Sequence, residues 1–133
     1  MIPALKNYIS AWLLKADHDL ISAQRLLEIE PRILDSACFH CQQAVEKYLK
    51  AFLIFKGFTI ERTHNIVFLL SKCAEFDSVF TDIDPRNIDV YAVQARYPDY
   101  AEMPELAEAN SHYKLALKIK DIVLTRIELT VRK

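Results

Sequence analysis

The chain has 133 residues, 52% of them hydrophobic, with a net charge of −1 and a single glycine. That length buries a core without disulfide or metal staples, and scarce glycine excludes hairpin-rich β folds, Rossmann turns and phosphate-cradling loops, which need positive φ. Near-neutral charge excludes a global attraction to nucleic acid or membrane surfaces.

The first predicted element is a helix from about Pro3 to Glu28. Leu5, Ile9, Trp12, Ala16, Leu20, Ala23 and Leu27 recur at three- to four-residue spacing, and Pro31 ends it. Asp17, His18 and Asp19 are adjacent within it, so they point to different faces and are expected to be solvated.

A second helix is predicted from about Leu34 to Lys56, with Asp35 near its start and Gly57 as the C′ residue. Its apolar face is Ala37, Cys41, Ala44, Tyr48 and Phe52, widened by Val45, Leu49 and Phe55. The run His40 to Ala51 (HCQQAVEKYLKA) also carries two polar lines. One is His40, Gln43, Lys47 and Lys50; the other is Gln42, Glu46 and Lys50. Their donors and one titratable ring suit a phosphate or a base edge. They equally suit a buried network satisfied by neighbouring helices or a partner subunit, and periodicity alone leaves the two readings tied.

Cys38-Phe-His-Cys41 forms a C-x-x-C, but no strand precedes it and no second paired motif completes a zinc set. Small buried hydrophobes are the better account, and no metal or cofactor is expected. Three cysteines and the absence of a signal peptide's basic, apolar start fit a cytoplasmic location, and no run reaches membrane-spanning length.

The third helix is predicted from His64 to about Phe76, with Thr63 as N-cap and Ile66, Leu69, Leu70 and Cys73 inward. Arg62, beside the amides of this helix start, makes a candidate anion site. The fourth is predicted to open on Asp84-Pro85 and to stop before Pro98. At its end, Arg96 suits a helix C-terminus through the dipole, which the residues alone favour over a functional reading in which Arg96 meets a phosphate and Tyr97 and Tyr100 stack on a base. The fifth starts near Pro104 and runs to Arg132, with Glu102, Glu105 and Glu108 ahead of Lys114, Lys118, Lys120 and Arg126. The expected fold is all-α, an up-and-down bundle of about five helices, four long and one short, in a single domain over residues 1–133.

His40 to Ala51, Arg62-Thr63-His64 and Ala95-Arg96-Tyr97-Pro98 together resemble the signature blocks of HEPN domains, the higher eukaryotes and prokaryotes nucleotide-binding family. Ala16 to Ala23 resembles that family's usual first helix, so the resemblance spans nearly the whole chain. It implies a helical homodimer often paired with, or fused to, a small nucleotidyltransferase, in toxin–antitoxin or defence-type pairs. It implies nucleotide-binding roles for His40, Gln43, Lys47, Arg62, His64, Arg96 and Tyr97. One branch of the family consists of metal-independent ribonucleases carrying an Arg four to six residues before a His. No Arg here precedes His18, His40, His64 or His112 at that spacing, since Arg32 is too far from His40 and Arg62 too near His64. A nucleotide-binding or interaction module therefore leads. The alternatives are a ribonuclease with an atypical site, using His40 or His64 as general base, and a purely structural dimerisation module.

Overall fold

A computed structural model describes residues 1–60, 62–90 and 103–131. Among them stand four α-helices: α1 (Pro3–Glu28), α2 (Leu34–Phe55), α3 (Ile66–Phe76) and α4 (Leu106–Val131), with 3₁₀ turns at Ser78–Phe80 and Ile88–Val90. There is no strand among the described residues, so the all-α expectation holds. α2 is the central element: it packs most extensively on α1, then on α4, and also meets α3.

The reason lies in its composition. From Ala37 to Ile54 only Phe39, His40, Gln43 and Lys47 escape full burial. The main core joins Tyr48, Leu49, Phe52 and Leu53 of α2 to Ala16, Leu20 and Ala23 of α1, Leu69 and Cys73 of α3, and Ala116, Ile119 and Val123 of α4. Small residues at fully buried positions, Ala16 and Ala23 on α1 and Cys41 and Ala44 on α2, allow backbones to approach closely. Phe52 meets Phe80 with ring centroids 4.7 Å apart, fastening the Ser78–Phe80 turn to α2.

The ends of α2 follow local chemistry. Gly57 takes φ +83°, its amide donates to Ile54, and Phe58 donates to Leu53 at 2.9 Å. That pair of bonds is a Schellman motif, and Phe58 packs back on the core as the motif favours.

Two starts differ from expectation. The N-cap of α3 is Asn65, not Thr63: Asn65 is extended and its side-chain oxygen accepts from the Phe68 amide at 3.1 Å. Thr63 instead accepts from the Asn65 amide, forming the turn that leads into the cap. Asp84 likewise caps a turn rather than a helix, accepting from the Arg86 amide at 2.8 Å. Arg86 then sits at φ +56°, a left-handed conformation that a right-handed helix cannot continue through. The described helical part of that region is Ile88–Val90, and the rest of the predicted fourth helix lies outside the described residues. Arg86 ties this turn to α4 by donating to the Ser111 carbonyl and hydroxyl. On α4, Arg126 forms an ion pair with Asp77 at 2.8 Å, joining the helix to the end of α3.

Candidate functional site

The two polar lines of α2 separate in the fold. Gln42, Glu46 and Lys50 are buried, at 0%, 3% and 5% exposure, whereas His40, Gln43 and Lys47 are half-buried and form the accessible polar strip in the middle of the helix. The fourth member of the predicted outer line, Lys50, belongs to the buried set.

The accessible strip is held by α1. His40 Nδ1 lies 2.9 Å from Asp19 Oδ1, and Lys47 donates to the other oxygen of the same carboxylate. A carboxylate only accepts, so the His40 proton sits on Nδ1 and Nε2 is left as the nitrogen able to engage a ligand. Gln43 turns inward and donates to the Gln42 side-chain oxygen at 3.1 Å. One turn on, the buried Glu46 accepts from His64 Nδ1 at 2.6 Å and pairs with Lys50 at 3.5 Å. His64 is itself 74% exposed, so Glu46 brings the loop before α3 against α2 while leaving the ring wet.

Asp17 and Asp19 correct the expectation that the Asp17-His18-Asp19 trio is solvated. His18 is exposed, but Asp19 is largely covered and Asp17 accepts from the buried Tyr48 hydroxyl and pairs with Lys120 at 3.2 Å. Residues two apart on a helix point to opposite flanks, so each aspartate finds its own partners across a packed helix. The missed signal was the match between acids on α1 and cations plus a phenol on α2. Burial, then the Asp17 carboxylate, pushes the Tyr48 phenol up beyond the ordinary tyrosine range. Tyr48→Phe therefore leaves Asp17 short of a donor and costs about 1.5–3 kcal/mol, read as a lower urea midpoint.

Of the remaining predicted site residues, Arg62 stands exposed in the loop before α3. Arg96 and Tyr97 lie outside the described residues. The Cys38–Cys41 pair is wholly buried, as is Cys73, which donates to the Leu49 carbonyl. Burial pushes Cys38 and Cys73 up to about 12 and raises Cys41 as well. These thiols stay protonated and inert. Native protein incubated with iodoacetamide at pH 8 should gain no adduct by mass spectrometry, and three after unfolding in guanidinium.

A family model described as the HEPN domain matches residues 9–127. The chain belongs to the HEPN family. Among solved structures it is similar to TT1696 from Thermus thermophilus, at 29% identity over 90% of this chain and 98% of that one, with a TM-score of 0.69. It is also similar to ST0689, an archaeal HEPN homologue, at 25% identity over 90% of this chain and 97% of that one, with a TM-score of 0.64. No curated protein gives a significant match. The matched span of this HEPN chain takes in α2, the Arg62 to His64 loop and all but the first turns of α1. No described helix is long and apolar enough to cross a membrane.

Proposed function

We propose that this HEPN chain is a non-catalytic nucleotide-binding module that acts as a homodimer with a small nucleotidyltransferase. The observation that carries the reading is the strip on α2, where His40, Gln43 and Lys47 are the polar side chains left accessible between Ala37 and Ile54. Asp19 fixes two of them before any ligand arrives. A preset ammonium meets a phosphate oxygen with a charge-assisted bond at little ordering cost, while the imidazole Nε2 accepts from a hydroxyl or amino group of the same ligand. The family resemblance also gives nucleotide-binding roles to Arg62, and to Arg96 and Tyr97, which lie outside the described residues. The nucleotidyltransferase rests on the family resemblance, as do the dimer and a role in a toxin–antitoxin or defence-type pair.

Titration calorimetry with ATP and GTP tests the reading. Binding by the wild type is expected, and Lys47→Ala should weaken it roughly ten- to hundred-fold, the loss of one charge-assisted bond. Absence of heat with every nucleotide, together with no co-purification of a nucleotidyltransferase encoded beside this chain, overturns it.

One observation favours a second reading, a metal-independent ribonuclease. Both histidines that could act as general base have Nδ1 against a carboxylate, His40 on Asp19 and His64 on Glu46. That arrangement fixes the orientation of each imidazole and leaves Nε2 free to take a proton. Purified protein with tRNA and total RNA separates the readings: cleavage lost in His40→Ala or His64→Ala makes it an enzyme, and no cleavage leaves the module.

A further inference from the structure

We infer that the groove beside Lys47, on the flank of α1, is the base subsite of the nucleotide, and that a purine ring stacks there on Tyr8. The inference rests on the nucleotide-binding reading and extends it to residues outside the signature blocks. The groove is a cavity of about 290 Å³ lined by Tyr8, Ala11, Trp12, Lys15 and Lys47. Its walls are aromatic and its rim is cationic.

Tyr8 and Trp12 are one turn apart on α1 and meet edge to face, with centroids 6.3 Å apart and planes at 74°. Trp12 is half-buried, and Lys50 Nζ stands 5.4 Å from its ring centroid. Because Lys50 is itself buried and paired with Glu46, this contact anchors the indole as a wall. Tyr8, by contrast, is 50% exposed. An exposed ring braced by an immobilised neighbour is a stacking platform that costs little to order.

The two lysines decide what kind of planar ligand fits. Lys15 is exposed, and Lys47 is already oriented by Asp19. A neutral aromatic ligand has no use for either, and a bare phosphate has no use for the rings. A nucleotide uses both, with the base on Tyr8 and the phosphates running past Lys15 to Lys47. The cavity volume lies at the lower end of small-molecule sites, roughly 300 Å³ upward, which suits one base and its sugar. The larger π face of a purine stacks better than a pyrimidine.

Trp12 is the only tryptophan in the chain, so its emission reports this groove alone. Titrating ATP with excitation at 295 nm should change Trp12 fluorescence saturably, with the same Kd that calorimetry gives. Tyr8→Ala, at an exposed helical position where alanine is well tolerated, should weaken ATP binding roughly five- to hundred-fold. Lys15→Ala should weaken ATP and leave adenosine unchanged. If calorimetry shows ATP binding while Trp12 emission does not move and Tyr8→Ala binds as wild type, the base lies elsewhere and the inference falls, with the module reading intact. Absence of binding by ATP and GTP alike overturns the inference, and the module reading falls with it when no nucleotidyltransferase co-purifies either.

Discussion

Replacing Glu46 with alanine should destabilise the fold by about 3–5 kcal/mol, the cost of leaving a buried charge without its partner. Glu46 is 3% exposed and Lys50 5%, and the carboxylate oxygen that faces Lys50 is 3.5 Å from it. Truncation removes the counter-charge while the ammonium stays enclosed between α2 and the Trp12 ring. The His64 contact on the other oxygen adds little to this cost, because His64 is mostly in water. Urea unfolding at pH 7 measures the effect, with the midpoint falling and the slope unchanged. The double variant Glu46→Leu with Lys50→Met should recover to within about 1 kcal/mol of wild type, since apolar side chains of similar volume replace the pair. A Glu46→Ala midpoint equal to wild type would mean that Lys50 escapes to solvent, and would sink the account.

That pair also marks where sequence reading stops. The bounds of α1 and the face of α2 are legible because apolar spacing and the Gly57 stop signal are local. Periodicity also finds both polar lines on α2. It assigns them to one helix face without saying what covers it, and the fold covers only one line: Glu46 and Lys50 go inside while His40 and Lys47 remain at the surface. The Asp17–Tyr48 and Asp19–Lys47 contacts span 31 and 28 residues of sequence, so they depend on how α1 lies against α2. The misplaced starts have a different origin. Thr63, Asn65 and Asp84 all belong to the class that caps helices and turns alike, and which one caps is settled by backbone angles such as the positive φ of Arg86. Tyr8 sits among exposed positions of α1, where an aromatic ring carries no signal in the sequence until the fold brings Trp12 and Lys47 to flank it.

Phe52→Ala should also cost about 3–5 kcal/mol, yet leave nucleotide binding unchanged. Phe52 is fully buried, and truncation removes both its own packing and the support of Phe80. The cavity left behind cannot collapse easily, because α1, α3 and α4 all converge on this stretch of α2. Phe52 lies five residues beyond Lys47, which places it about 140° round the helix from the accessible strip. The backbone that presents His40, Gln43 and Lys47 is held independently by Asp19 and by the Ala16, Ala23, Cys41 and Ala44 packing. At 10 °C, where the variant remains folded, its ATP affinity should match wild type within about two-fold, while its urea midpoint falls steeply. Lys47→Ala should do the reverse, losing the ligand while its midpoint falls far less than that of Phe52→Ala, because no core packing is removed and Asp19 keeps His40 as a partner. If instead Phe52→Ala loses ligand in proportion to stability, the α2 strip is not preset by α1, and the site forms only with the core as a whole.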